Sequence, residues 1–339
     1  MQPNCQEHNT IIFTESQEEF NTPSFFEEIQ KAHKRNKKAL SKIALNSKEA
    51  EKAKRIISCT NFLTYELINE EILRLHRINL CRERLCLNCQ LVNSRNLIKQ
   101  LFWSVPRLKI PQENSLQFVT LTVPNCDGQD LKKVIQYMVK RQTAFFRHYK
   151  IKDYFRSIEI TYNKEKDTYH PHIHAIAIIA KNSGFPFYDN KKGERGANDL
   201  QLTWYKWYGI PNEYGYNQAT AYPLYNTKAI FEVCKYVTKV EDLEAENVLQ
   251  VLNNQLKGLR LKTPCGQFKE LSRAYKAECM TVKLQELKEL ENAEKVLVHM
   301  LYNPKAETYE VKSIEKRITY HSMKNFWHMK RLQEEGIII

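Results

Sequence analysis

The chain has 339 residues, 42% of them hydrophobic, and a formal net charge of +13. That length and apolar content can build two or three packed modules, and the charge implies an anionic partner, most often nucleic acid. No apolar run approaches the roughly 18 residues of a membrane span, the opening MQPNCQEHNT lacks the pattern of a secretion signal, and nine cysteines, an odd number, argue against a disulfide framework and fit a reducing cytoplasm.

Residues 1–58 read as a basic, mostly helical arm. Its first thirty or so positions are mixed and polar, and Lys31 to Arg55 is crowded with Lys and Arg. Such a run is a solvated helix or a mobile arm that can graze phosphates. Residues 59–105 form a cysteine-rich module. Cys86 and Cys89, two residues apart in a knuckle, can both bind one tetrahedral Zn²⁺, and Cys81 supplies a third ligand. The fourth is Cys59 or His76. Cys59 is favoured, because a strand pair across residues 61–67 and 72–78 returns it to Cys81. Three buried free thiols are the plainer alternative. Arg74, Arg77, Arg82 and Arg84 would place a DNA contact near this metal.

Residues 106–245 carry the chemistry. Gln117–Val123 alternates and is rich in β-branched residues, so it reads as a central strand. Leu131–Tyr149 has apolar residues at helical spacing. Tyr154–Tyr162 is a second strand with Ser157, Glu159 and Thr161 on one face, and the polar turn Asn163–Tyr169 leads to Tyr169-His-Pro-His-Ile-His174, which runs on into an apolar stretch. His172 and His174 share a face of that strand, with His170 beside them. Neutral imidazoles so placed suit a divalent cation. A hairpin centred near Lys166–Asp167 puts Glu159 opposite His174 as a third ligand, a set suited to Mg²⁺ or Mn²⁺. The plainer alternative is a histidine-rich strand end beside a surface glutamate.

Residues 182–225 are rich in aromatic side chains, Trp204, Trp207 and Tyr222 among them. They can stack unpaired bases, but most are assigned to packing. Lys228–Asp242 reads as a helix behind the N-cap Thr227, with Glu232 and Tyr236 at i and i+4 and Lys239 a turn further on. A tyrosine hydroxyl can attack phosphorus if its developing charge is offset, as a lysine can do, and a nearby carboxylate can activate water. The same pattern is also that of an ordinary amphipathic helix. Residues 246–339 read as mostly helical (Leu243–Leu256 and Phe268–His299), with a short strand-like Thr308–Ile314.

Taken in order, the cysteine cluster, FVTLTVPN, RSIEITYN…YHPHIHAIAII and EVCKYVTK resemble the plasmid rolling-circle replication initiators, the Rep family of the HUH (His-hydrophobic-His) endonuclease superfamily. GLRLKTPCGQFKE is similar to that family's glycine-containing segment after the tyrosine helix. Leu87 stands where the family usually has proline, and Gln90-Leu-Val lacks its aromatic-basic continuation. The resemblance implies an α+β fold, an antiparallel sheet flanked by helices between a small zinc module and a helical tail. It implies His172, His174 and Glu159 as ligands of the catalytic cation and Tyr236 as nucleophile. Glu232 would help water at termination, and Lys235 and Lys239 would offset charge. It further implies nicking of single-stranded or hairpin origin DNA in the cytoplasm, giving a 5′-phosphotyrosyl link and a 3′-OH, with a host helicase and polymerase as partners. A transposase or relaxase of the same chemistry, and a non-catalytic zinc DNA-binding regulator, are the alternatives.

Overall fold

The computed structural model of the chain describes residues 27, 30–32, 34, 47–68, 72–187, 199–210, 219–224, 227–235, 248–289 and 295–317. In chain order its elements are α1 (Ser47–Ile57), β1 (Phe62–Ile68), β2 (Ile72–Ile78), α2 (Leu87–Ser104), β3 (Asn114–Thr122), α3 (Leu131–His148), β4 (Tyr154–Asn163), β5 (Thr168–Ala180) and α4 (Asp199–Tyr208). There follow β6 (Thr220–Pro223), α5 (Lys228–Cys234), α6 (Val248–Gln255), β7 (Lys262–Cys265), α7 (Gln267–Glu289), β8 (Lys295–Asn303) and β9 (Thr308–Arg317). The protein is therefore α+β, with antiparallel sheets. Two compact units divide the described residues: one within Val92–Tyr275, the other made of those up to Leu91 together with those from Lys276 onward. No described helix is long and apolar enough to cross a membrane.

The first unit holds a five-stranded antiparallel sheet of order β6-β3-β5-β4-β7. β5 is its middle strand, which explains the unbroken apolar run after His174: both faces are covered, so alternation is lost. One face packs under α3 and α4. There Phe146 meets Tyr154 edge-on at 5.0 Å, and the buried Trp204 donates its indole N–H to the Thr122 carbonyl at 2.7 Å. The other face carries an apolar cluster that includes Phe155, Ile176 and Ile178, covered by Ile230, Val233 and Cys234 of α5 and by Leu101 of α2. Most of the described aromatic residues of the 182–225 stretch do pack, Phe185, Trp204 and Tyr205 being buried. Tyr188, Tyr214, Tyr216 and Tyr225 lie outside the described residues.

The β4–β5 hairpin is closed by an Asx turn. The Asn163 side-chain oxygen accepts from the N–H of Glu165 and of Lys166 (3.0 and 3.1 Å), and Asp167 takes φ 48°. Asn163 therefore pairs with Thr168, which fixes the register one residue short of the expected centre: Glu159 lies opposite His172, and Ser157 opposite His174. Glu159 still shares the histidines' face, because the slip moves the pairing by two positions and preserves parity.

The second unit has a four-stranded sheet of order β2-β1-β8-β9. The expected strand pair at 61–67 and 72–78 is present as β1 and β2. The expected helical tail is present in part, as α6 and α7, and the strand-like Thr308–Ile314 lies within β9. The helix expected over Phe268–His299 ends at Glu289, and Lys295–Asn303 is a strand that pairs with β1 from Phe62↔Leu301 to Ile68↔Lys295. Its run of Val296, Leu297 and Val298 is ambiguous between helix and strand in isolation, and the waiting edge of β1 decides it. The β8–β9 turn repeats the chemistry of the β4–β5 turn. Asn303 accepts from Lys305 and Ala306 N–H, Glu307 takes φ 53°, and Tyr302 faces Tyr309 as Tyr162 faces Tyr169.

Candidate metal centres

In the second unit the chain from the end of α1 to the first turn of α2 gathers four thiols. The Sγ atoms of Cys59, Cys81, Cys86 and Cys89 all lie within 4.8 Å of one another, with Cys59–Cys89 and Cys81–Cys89 at 3.6 Å. Sulfurs bound tetrahedrally at 2.3 Å are about 3.8 Å apart, so the spacing fits a single ion. Backbone N–H groups point at the sulfurs: Cys81 at Cys59 (3.3 Å), Arg82 at Cys89 (3.2 Å) and Glu83 at Cys81 (3.5 Å). Hydrogen bonds from the neighbouring thiols, Cys59 first, hold Cys89 far below the usual thiol range, while hydrogen bonds with Cys81, then Cys86 and Cys89, push Cys59 up. Thiolate is thus favoured at Cys89 and Cys81 and disfavoured at Cys59 and Cys86. The side chain of His76, the other candidate for fourth ligand, lies outside the described residues. Leu87, where the resemblance leads one to expect proline, is the first residue of α2, a position that tolerates either. The cluster is tied to its sheet by Tyr309, whose hydroxyl donates to the Thr60 carbonyl at 2.6 Å.

In the first unit the second group sits on the β4–β5 hairpin. The Nε2 atoms of His172 and His174 lie 3.3 and 3.2 Å from the same oxygen of Glu159, Oε2. Ligands bound at 2.0–2.1 Å on adjacent octahedral positions are about 2.9 Å apart, so three donors converge with room for one ion and with open positions beyond it. Each ring is oriented through its other nitrogen. His174 Nδ1 meets Thr120 Oγ1 at 3.1 Å, and His172 Nδ1 meets the His170 carbonyl at 3.2 Å. Phe118 stacks on His174 with centroids 5.6 Å apart. Glu159 is 9% exposed. Burial pushes its carboxyl up, but the two imidazoles overrule this and hold it well below the usual carboxylate range. His170 lies beside His172, centroids 5.4 Å apart, and does not join the converging set.

Thr120 and the His170 carbonyl were not legible as site residues. Thr120 is on the same strand face as Thr122, but which histidine it meets depends on the β3–β5 register, Thr120↔His174.

The region around the expected nucleophile departs from the single helix over 228–242. α5 ends at Cys234, and Lys235 leaves the helix with φ −50° and ψ 165°. The Cys234 carbonyl is taken instead by the Ser94 hydroxyl and by Lys262 Nζ at 3.1 Å. The helix expected over 228–242 is thus interrupted at Lys235. Glu232 pairs with Lys235 at 2.6 Å. Tyr236 and Lys239 lie outside the described residues.

A histidine of the second unit has surroundings like those of His174. His299 Nδ1 meets Thr64 Oγ1 at 3.1 Å, its Nε2 lies 3.5 Å from Glu315 Oε2, and Phe62 stacks on it at 5.7 Å. The register is the same in kind: Thr64↔His299↔Ser313 against Thr120↔His174↔Ser157.

Comparison with known proteins comes to one family. Residues 72–190 match the Rep family, described as replication protein. Among relatives, a protein Rep of a Bacillus species is 34% identical over 138 residues, which are 39% of this chain and 45% of that one. A protein Rep of Streptococcus pneumoniae is 28% identical over 234 residues, 64% of this chain and 70% of that one. One of Staphylococcus aureus is 27% identical over 189 residues, 54% of this chain and 80% of that one. The chain thus spans under half the length of the Bacillus relative. No solved structure matches it. The family match contains Cys81, Cys86, Cys89, Glu159, His172 and His174 and stops before Glu232 and Tyr236.

Proposed function

We propose that this protein, whose residues 72–190 match the replication protein (Rep) family, initiates rolling-circle replication of a plasmid by nicking one strand of origin DNA. The observation that carries the reading is the convergence of His172, His174 and Glu159 within the matched segment. Their mixed nitrogen and oxygen donors suit Mg²⁺ or Mn²⁺. Bound there, such a cation supplies Lewis acidity toward a scissile phosphate.

The chain's own groups do the rest. Thr120 and the His170 carbonyl keep both Nε2 lone pairs turned to the site. α5 packs on the sheet face that carries the histidines and ends two residues before Tyr236 in sequence. The Tyr236 oxygen forms a bond to phosphorus as the bond from phosphorus to the 3′-oxygen breaks. The phenol proton passes to solvent or a nearby carboxylate, and the 3′-oxygen takes up a proton. The products are a 5′-phosphotyrosyl link and a 3′-OH that a host polymerase extends behind a host helicase. Lys239 or Lys235 offsets charge on the phenolate or phosphate, and Glu232 assists water or a second transfer at termination. Reversal rejoins the strand without ATP, because the phosphodiester energy is kept in the link. Cys59, Cys81, Cys86 and Cys89 hold a structural Zn²⁺, four thiolates being the donor set of a closed site. The setting is a cytoplasm, where thiols stay reduced, and the net charge of +13 favours the phosphate backbone.

Tyr236→Phe is the test. With a single-stranded suicide oligonucleotide and Mn²⁺ it abolishes the covalent adduct and leaves oligonucleotide binding intact. An adduct that persists and maps to Tyr222 or Tyr225 moves the nucleophile. A wild-type protein that binds DNA but forms no adduct leaves a DNA-binding regulator instead.

A further inference from the structure

The end of α5 is held by two side chains distant in sequence. The last carbonyls of a helix lack intrahelical partners, and here the Cys234 carbonyl accepts from the Ser94 hydroxyl of α2 and from the Lys262 ammonium at 3.1 Å. Lys262 comes from the edge strand β7. It lies opposite Ser157, and Ser157 lies opposite His174. Directly opposed residues share a face, so Lys262 belongs to the row of side chains that contains a metal-site histidine. The ammonium is largely buried, burial lowers its pKa, and no carboxylate pairs with it among the described residues. A desolvated cation without an acidic partner is costly where an apolar side chain would fit. Its one described hydrogen bond is to the Cys234 carbonyl, where the negative end of the helix offsets part of that cost.

The segment GLRLKTPCGQFKE is built to put Lys262 there. Asp153 accepts the Gln267 N–H at 2.8 Å where α7 begins. Gly266 has φ 53°, and a Cβ at that position would come within 2.1 Å of the Asp153 carboxylate. The glycine therefore lets β7 and α7 close against Asp153, and β7 then pairs with β4 in the register that sets Lys262 beside Ser157.

We propose that Lys262 is a positioning residue for the nucleophilic tyrosine: with Ser94 it clamps the carbonyl from which the chain leaves α5 through Lys235 toward Tyr236. This rests on the reading of Tyr236 as nucleophile given above. Holding that departure point fixes where the phenol starts from relative to the histidine row. A displacement of about 1 Å at a reacting group costs up to about 100-fold in rate.

The test uses the full chain and four variants: Lys262→Met, Lys262→Gln, Ser94→Ala and the Ser94→Ala/Lys262→Met pair. Adduct formation is followed in single turnover on a suicide oligonucleotide, alongside Mn²⁺ affinity by calorimetry, oligonucleotide binding by anisotropy, and the rate of tryptic cleavage after Lys235. Lys262→Met slows adduct formation about 10- to 100-fold, leaves Mn²⁺ and oligonucleotide affinities at wild-type values, and speeds cleavage after Lys235. Lys262→Gln, whose amide can still donate to the carbonyl, recovers most of the rate. Ser94→Ala loses less, and the double variant loses less than the product of the singles. The proposal is overturned if Lys262→Met reacts at the wild-type rate, or if Lys262→Gln is no better and both lose Mn²⁺ affinity, the mark of a general structural role. Should the wild type form no adduct, or form it on another residue, the nuclease reading fails separately. The clamp is then decided by proteolysis alone: unchanged cleavage after Lys235 in Lys262→Met refutes it.

Discussion

The two hairpins, β4–β5 and β8–β9, close with the same turn and present a histidine in the same setting. Each has a threonine on one ring nitrogen, a glutamate near the other, a stacked phenylalanine and a serine directly opposite. They differ at one position. Glu159 faces His172 across the hairpin, while Glu315 faces Leu297. They differ also in cover, since the carboxylate side chain is 11% exposed in the first and 65% in the second. An oriented His–Glu pair is thus a product of sheet geometry that arises twice among the described residues, and only the first adds a second imidazole and a buried carboxylate, the donor set that could hold a cation.

The largest effect expected concerns what holds the lone pair in place. Cys89→Ser, or a strong chelator, should unfold the β2-β1-β8-β9 sheet at a cost of several kcal/mol, on the order expected when a structural metal is lost. Mn²⁺ binding at Glu159 should survive in Cys89→Ser. Thermal melts with calorimetry read both, and a melt unmoved by the substitution would show the thiols to be simple packing. Next, His172→Ala turns the first hairpin into a copy of the second, and Mn²⁺ affinity should fall by more than about 100-fold, beyond the range seen for residues that only orient ligands. The converse change, Leu297→His, completes the second hairpin on the same register. Calorimetry should then find an additional, weaker Mn²⁺ or Ni²⁺ equivalent, with about 1 kcal/mol of stability lost from the half-buried leucine. No second equivalent would mean that cover, and not the second ring, is decisive. Smallest is the threonine: Thr120→Val should cost about tenfold in Mn²⁺ affinity by releasing the ring of His174, whereas Thr64→Val should leave metal binding unchanged.

Much of the site could be read before the fold because strand alternation alone puts Glu159, His172 and His174 on one face. Parity survives a misplaced turn, so Glu159 shares the histidines' face although the residue opposite it is His172 and not His174. What alternation cannot carry is long-range register. Thr120 reaches His174 only through the β3–β5 pairing. The end of α5 shows a similar blindness. Nothing in EVCKYVTK marks a stop after Cys234, because the groups that take its carbonyl, Ser94 and Lys262, come from far along the chain in both directions. β8 was missed for the same reason: its apolar run suits either period, and its partner strand lies near the other end of the sequence. The cysteine cluster was easier, since the C-x4-C-x2-C spacing is local and a short hairpin returns Cys59 to it.

The pairing of β1 with β8 has a consequence for how the molecule is made. Every residue of the first unit from Val92 to Tyr275 leaves the ribosome between those two strands. The earlier strand must therefore wait, its hydrogen-bonding edge bare, until β8 emerges. Non-local pairings of this kind form slowly, and a bare edge invites association with other chains in the meantime. A product ending at Glu289 would keep that edge open for good, so premature termination should yield aggregates, a built-in penalty on incomplete synthesis.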